Sequence, residues 1–259
     1  MSRRWRRFPP LRAGREPVTD EELRPLVVHH LGAGAPTGWF EPAYQLAVAT
    51  GRRLPWQEPD AHPWVGSWLD APVLTPPGTR ALVIGCGSGA EVAELARRGF
   101  SVVGLDVAPT ALAWAAARLR REPRPVRAAV ELLAGDLLHL DPASLDPVDL
   151  VVEVHTVPWL PGVVQDAAMA AVGPLLAPGG VAVTITQLRA EDAEAASVSP
   201  GPPWPQAPSA LASYRAGGLE RLALEHPPRT SPGPLEIRVT WQRPHAGTGV
   251  GLPLAGDGA

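Results

Sequence analysis

The apolar positions of the chain follow one rhythm before residue 80 and another after it. Near the start, Leu23, Leu26, Val27 and Leu31 recur at helical spacing. Ahead of them, Thr19-Asp20-Glu21-Glu22 has the form of a capping box, so a helix of about three turns is expected from Thr19. A second helix is expected from near Pro42 to Thr50, stopped by Gly51. The stretch from Gly51 to Pro77 is rich in Pro and in Trp (Trp56, Trp64, Trp68), which predicts a cap without strands.

From Arg80 short apolar runs alternate with helical stretches, the pattern of βαβ units around a parallel sheet. Strands are expected at Ala81 to Ile84, Ser101 to Leu105, Val130 to Leu133, Leu150 to Val154 and Val181 to Thr186. Helices are expected at Ala90 to Arg98, Thr110 to Arg120, and Val163 to Leu176, the last ending at Pro178-Gly179-Gly180. A short helix over Pro208 to Ala216 and two strands, Leu219 to Glu225 and Leu235 to Gln242, complete the pattern. The expected layout is a disordered basic arm (1–18), an N-terminal helical cap (19–77), an α/β domain (78–243) and a disordered tail (244–259).

Composition narrows the partners. The formal charge of -3 gives no basic field and argues against nucleic acid, which leaves a small neutral or mildly charged molecule as the expected partner. All the basic residues are Arg, Asn is absent and Ile occurs only at 84, 185 and 237, the mark of a high-GC genome. The single cysteine, Cys86, offers no intramolecular disulfide. Ser2-Arg3-Arg4-Trp5-Arg6-Arg7-Phe8 has the look of a twin-arginine signal, but an apolar h-region does not follow, and no run is long enough to span a membrane. The expectation is a cytoplasmic protein, monomer or weak homodimer, with no membrane partner.

The strongest chemical signal is Ala81-Leu82-Val83-Ile84-Gly85-Cys86-Gly87-Ser88-Gly89, a strand running into a glycine turn and then a helix. Glycines let the backbone approach a ligand closely, and the helix start presents free N–H groups. Gly85, Cys86 and Gly87 are therefore candidate cofactor contacts, with Cys86 read as a small residue that fits the turn. Asp106 closes the next strand about 20 residues on, where a carboxylate can accept from both ribose hydroxyls, with Val107 beside it. Asp106 could instead cap the following helix. Gly85-x-Gly87-x-x-Ala90 with Asp106 would also suit a nicotinamide dinucleotide.

Later segments discriminate. Ala134-Gly135-Asp136-Leu137 follows the third strand, Asp149 to Pro161 carries the fourth strand to the crevice edge, and Leu175-Leu176-Ala177-Pro178-Gly179-Gly180 precedes the fifth. In this order the segments resemble class I S-adenosylmethionine-dependent methyltransferases. The Trp-rich N-terminal segment, Gly85-Cys86-Gly87, Val102-Val103-Gly104-Leu105-Asp106 and Gly201-Pro202-Pro203-Trp204 resemble the thiopurine S-methyltransferase-like branch. The resemblance covers residues 40 to 243. It implies a doubly wound α/β fold, a mostly parallel seven-stranded sheet in the order 3-2-1-4-5-7-6 with the seventh strand antiparallel, and an N-terminal lid. It also implies S-adenosylmethionine as cofactor, with Asp136 meeting the adenine amino group, the backbone of Leu137 serving the ring, and Trp56 either packing on the cofactor or filling space; taken alone, Asp136 could equally form a turn. The family's Asp-Arg pair after the fourth strand reads Glu153-Val154 here, so that Arg is missing.

At the acceptor end, His155 is the candidate general base, with Glu153 beside it as a second candidate for catalysis or cofactor contact. An inert polar residue closing the strand is the alternative for His155. Trp159 and Trp204 are candidate pocket walls. His29 and His30 are neighbours on one helix that point apart, and no metal site is expected. Three functions remain open: methyl transfer to a small thiol, alcohol, phenol or amine; a nicotinamide-dependent oxidoreductase; and a cofactor-binding protein that transfers no methyl group.

Overall fold

The computed structural model describes residues 16–71, 79–189, 201–226 and 235–245. Most of the expected arm (1–15) and tail (246–259) lies outside these described residues. Val18 is fully buried, and its N–H donates to Arg53 O at 2.8 Å.

Helix α1 (Asp20–Gly32) opens with the expected capping box, in which Thr19 Oγ1 accepts from Glu22 N and Thr19 N donates to Glu22 Oε2 at 2.9 Å. Helix α2 (Phe40–Thr50) stops at Gly51, whose left-handed φ of 64° only glycine adopts freely. The cap also holds α3 (Pro63–Leu69), a helix too short to leave a periodic signal in the sequence.

The α/β part begins with β1 (Arg80–Ile84), α4 (Ala90–Arg97), β2 (Ser101–Asp106) and α5 (Pro109–Leu119). It continues through α6 (Arg124–Ala128), β3 (Val130–Ala134), β4 (Val148–Val154), α7 (Gly162–Ala170) and α8 (Val172–Leu175). It closes with β5 (Leu176–Leu188), α9 (Ala212–Ala216), β6 (Glu220–Glu225) and β7 (Leu235–Gln242). The single helix expected over 163–176 is two helices. Pro174 lacks the N–H that would continue α7, and the chain turns into β5 at Leu176, so Pro178-Gly179-Gly180 falls inside the strand.

The strands form one sheet in the order β3-β2-β1-β4-β5-β7-β6. β1 to β5 pair in parallel, while β7 runs antiparallel to both β5 and β6. Alternation along each strand divides the core between the two faces. Leu82, Ile84, Val103, Leu105 and Val151 join Met169 and Tyr214 on one face; Ala81, Val83, Val102, Leu150 and Val152 join Val92, Leu95 and Phe100 on the other. A third cluster welds the cap to the domain, with Leu23, Trp39, Tyr44 and Leu54 packed on Ala108, Ala111 and Trp114 of α5. Glu41 of α2 also caps α5 directly, its carboxylate accepting from Thr110 N at 2.9 Å and Thr110 Oγ1 at 2.7 Å.

The strand order reverses between β1 and β4, where neighbouring connections leave in opposite directions. This topological switch point opens a crevice beyond the carboxyl ends of the strands. The Gly85–Gly87 turn, Asp106 and His155 all line that crevice.

Candidate functional site

The turn after β1 is held in a shape that few residues other than glycine can take. Gly85 and Gly87 have φ of 62° and 51°. A Cβ on Gly85 would lie 2.3 Å from Thr156 Oγ1, and one on Gly87 would lie 3.3 Å from Tyr44 Oη. Thr156 occupies that space because its hydroxyl donates to Ile84 O at 3.1 Å, which ties the ends of β1 and β4 together. Cys86 is buried in the same turn, with its N–H on Leu105 O at 2.9 Å, and burial pushes its thiol well above the usual range.

Asp106 ends β2 beside this turn. Its Oδ2 accepts from Gly87 N at 2.8 Å and its Oδ1 accepts from Ala108 N at 2.9 Å. Each oxygen thus holds one backbone donor and keeps acceptor capacity to spare, since a carboxylate offers about four lone-pair sites. Burial raises its pKa to about 6 despite those bonds. The ligand and capping roles weighed for Asp106 are compatible: one N–H at the start of α5 is satisfied while the remaining lone pairs stay open.

These groups line one cavity with Val107, Asp136, Leu137, His155 and Trp159, and the cap contributes Thr37, Phe40, Tyr44 and Trp56 to it. The cap residues interlock. Trp56 Nε1 donates to Tyr44 Oη at 3.2 Å, and the Trp56 ring lies 4.6 Å from that of Trp159 and 6.0 Å from that of Phe40. Burial and the nearby Asp106 charge hold the Tyr44 hydroxyl well above its usual pKa, so it stays protonated. Asp136 Oδ2 accepts from Thr37 Oγ1 at 2.7 Å and Oδ1 from Leu138 N at 3.0 Å, which ties the cap to the loop after β3.

Two candidates stand elsewhere. Glu153 is fully buried beneath the site, where Oε1 accepts from Thr156 N at 2.6 Å and Val157 N at 3.1 Å while Tyr214 Oη donates to Oε2 at 3.3 Å. It fastens the turn after β4, because strand alternation points it into the core beside Val151. Trp204 packs against the cap cluster, its N–H on Pro158 O at 2.6 Å, behind the turn that carries Trp159. Neither lines the cavity.

His155 does line it, with a φ of 53° unusual for a residue other than glycine. Its N–H donates to Ile185 O at 2.8 Å, and its Nε2 lies 2.9 Å from Oε1 of Glu236 on β7. His62, at the N-cap of α3, reaches the same oxygen at 3.5 Å. Thr37, Tyr44, His62, Thr156 and Glu236 carry no motif in the sequence; only the fold brings them to the crevice.

The chain resembles known proteins in both sequence and fold. Residues 82–182 match a family described as a methyltransferase domain, spanning β1 through the start of β5. The chain carries an S-adenosylmethionine-dependent methyltransferase domain. Its cofactor is S-adenosylmethionine, and its fold is that of the class I methyltransferases. No curated protein matches the chain in sequence. Among solved structures, a protein studied for the conversion of a disulfide bond into a thioacetal group during echinomycin biosynthesis is 20% identical. That likeness covers 82% of this chain and 93% of the other, with a TM-score of 0.61. The glycopeptide N-methyltransferase MtfA, solved with S-adenosyl-L-methionine, is 17% identical over 73% of this chain and 90% of its own, with a TM-score of 0.56. The [4+2]-cyclase SpnF is 19% identical over 88% and 97%, with a TM-score of 0.57. Among the described residues, no helix of this methyltransferase is long and apolar enough to cross a membrane.

The cavity suits this cofactor. Asp106 has acceptor capacity left for hydroxyl donors, the turn at Gly87 leaves room for a close backbone approach, and Phe40, Tyr44, Trp56 and Trp159 supply aromatic surface. Aromatic faces attract a cation by about 0.5 to 2 kcal/mol, which fits a sulfonium.

Proposed function

We propose that the protein methylates a small-molecule acceptor inside the capped crevice, and that the acceptor attacks through an amine or a thiol. In this assignment Asp106 receives the ribose hydroxyls with Val107 beside it, and the Gly85-Cys86-Gly87 turn takes the amino-acid tail. Asp136 and Leu137 face the adenine, and Trp56 covers the cofactor as a lid. The likeness to the thiopurine S-methyltransferase branch enters at that lid. Glu153 and Trp204 support the site from behind. The proposed setting is the cytoplasm, with the protein a monomer or weak homodimer.

When bound, S-adenosylmethionine supplies a methyl group whose sulfur leaving group is already activated. What remains for the chain is to orient the acceptor and exclude water. The cap does the excluding: α2 and the Trp56 segment close over the strand ends and leave an aromatic wall.

The single observation carrying the choice of acceptor is the state of His155. Its Nε2 faces Glu236, and its Nδ1 is enclosed with no hydrogen-bond partner among the described residues. No ring nitrogen is open to an incoming proton, so the base role considered for this residue has no free atom in this arrangement. Amines and thiols attack with little help, whereas alcohols and phenols benefit from proton removal. MtfA, a glycopeptide N-methyltransferase of the same fold, is consistent with an amine.

Calorimetry with S-adenosylmethionine, its demethylated product and NAD tests the cofactor, and turnover on matched amine, thiol and phenol panels tests the acceptor. Phenol turnover above that of amines and thiols would overturn the acceptor assignment. Cofactor binding without turnover on any panel would favour a non-methylating protein.

A further inference from the structure

Two histidines from distant parts of the chain meet one carboxylate at the cavity wall. His62 precedes α3 in the cap, His155 follows β4, and Glu236 stands on β7 opposite Gln187 of β5. The two imidazoles lie 5.6 Å apart, centroid to centroid, and both Nε2 atoms approach Glu236 Oε1, at 2.9 Å from His155 and 3.5 Å from His62.

Hydrogen bonding decides where each ring carries its proton. His62 Nδ1 accepts the N–H of Trp64 at 3.3 Å, so its lone pair is there and its proton is on Nε2. His155 Nδ1 is enclosed and has no partner among the described residues. A proton placed there would be a buried donor without an acceptor, whereas on Nε2 it meets a carboxylate. Both rings therefore turn a protonated Nε2 toward Glu236, whose carboxyl is held well below its usual range by His155 first and His62 second.

Two histidines and a carboxylate within 4.8 Å of one another are also a metal-ligand set. Coordination through Nε2 would move both remaining protons to Nδ1. On His62 that proton would oppose the Trp64 N–H, and on His155 it would find no acceptor of the kind that metal-bound histidines use. The hydrogen-bonded cluster fits the surroundings better than a cation does.

We propose that Glu236 is a positioning residue for methyl transfer, fixing His155 in one tautomer and one orientation and tying His62 of the cap to the sheet across the cavity wall. His155 and His62 both line the cavity, so the carboxylate behind them sets the shape of the space the acceptor occupies. The proposal rests on the methyltransferase reading above. A misplacement of about 1 Å at such a wall can cost as much as 10²-fold in rate.

The test combines imidazole ¹⁵N NMR of the ligand-free protein with kinetics of Glu236→Ala, Glu236→Leu, Glu236→Gln and Glu236→Asp. In the wild type both His62 and His155 should appear as Nε2–H tautomers, and in Glu236→Ala the His155 signals should become a mixture. Glu236→Ala should lower kcat at least 10-fold while the S-adenosylmethionine Kd stays within threefold, and Glu236→Asp should recover part of the loss. If Glu236→Ala does not fold, Glu236→Leu, which keeps the volume but offers no acceptor, should show the same kcat loss, and Glu236→Gln, which keeps one acceptor oxygen, should lose less. A wild-type His155 carrying its proton on Nδ1, a stoichiometric zinc complex that shifts both Nε2 signals, or an unchanged kcat in the folded variants would each overturn the proposal. Absence of cofactor binding to the wild type would instead sink the methyltransferase reading, and the tautomer result would stand apart from it.

Discussion

Gly87 N donates to Asp106 Oδ2 across 2.8 Å, joining the glycine turn after β1 to the end of β2. This bond sets the angle of the Asp106 carboxylate before any ligand arrives. An oriented carboxylate pays little reorganisation on binding, so the two groups work as one unit.

Asp106→Ala should weaken S-adenosylmethionine binding about 10- to 100-fold, the value of one or two hydrogen bonds to a charged acceptor. The pH dependence should be equally informative. Burial raises the Asp106 pKa to about 6 from 3.8, so the acid form persists to higher pH in the folded, ligand-free protein than in the unfolded chain. A raised folded pKa means that this residue's contribution to stability is full below the unfolded pKa and is lost as pH rises through about 6. Ribose hydroxyls, in contrast, need the ionised form as acceptor. Cofactor affinity should therefore fall by up to about tenfold per unit below pH 6, while the ligand-free protein gains stability from this residue over the same interval. Calorimetric titrations between pH 5 and 8, alongside melting curves, would check both slopes; a flat affinity profile would refute the assignment.

Replacing Gly87 separates strain from occupancy. Gly87→Ala places a Cβ 3.3 Å from Tyr44 Oη at a φ of 51°, and the left-handed backbone alone costs roughly 1 to 2 kcal/mol. Gly87→Val adds branching that favours extended backbone and narrows the ligand's approach. Alanine should fold with a lower melting temperature and weakened cofactor binding; valine, where it folds, should bind none. Retained affinity in a folded valine variant would mean that the turn serves packing alone.

Glu153 should behave as a structural carboxylate. Glu153→Ala leaves Thr156 N, Val157 N and Tyr214 Oη without their acceptor in a buried place, at about 1 to 3 kcal/mol for each group that finds no substitute. Glu153→Gln keeps one acceptor oxygen and should lose less. Urea denaturation should show this order. Protein that remains folded should turn over within about threefold of the wild type, since the side chain does not reach the cavity.

The strands and the glycine turn were legible because each reports on neighbours close in sequence. β1, β2 and β4 are short apolar runs buried on both faces, and Gly85, Gly87 and Asp106 sit where adjacent strands end. Short helices were not legible: α3 and α6 span 7 and 5 residues, too few for a periodic stripe. The long helix expected over 163–176 was misread because Ala171-Val172-Gly173 continues an apolar pattern that Pro174 then cannot extend. The far side of the site was hidden for a different reason. Thr37 and Asp136 are 99 residues apart in sequence, and Glu236 meets His155 only because β7 pairs antiparallel with β5. Glu153 shows the limit of reading a strand end by proximity, since alternation sends it into the core although His155, two residues on, reaches the cavity.

His155 offers a test that reverses a general rule. Alanine is ordinarily more stabilising than glycine, because glycine loses more backbone entropy on folding, roughly 0.5 to 1 kcal/mol in regular structure. At His155 the φ of 53° is strained for every residue with a Cβ, by roughly 1 to 2 kcal/mol, and glycine escapes that cost. Both substitutions give up the bond to Glu236, a partly exposed pair worth about 1 kcal/mol or less. His155→Gly should therefore be about as stable as the wild type, and His155→Ala less stable than His155→Gly by up to about 1 kcal/mol. Turnover should fall in both variants, because the wall at the acceptor end loses its ring, while cofactor affinity changes little. Such a pairing of strain with function is expected where the surroundings over-determine a costly backbone. Urea unfolding of the two variants, read beside their kcat values, would decide the matter: a glycine variant less stable than the alanine variant would show that the strain is not there, and normal turnover in both would remove His155 from the acceptor end.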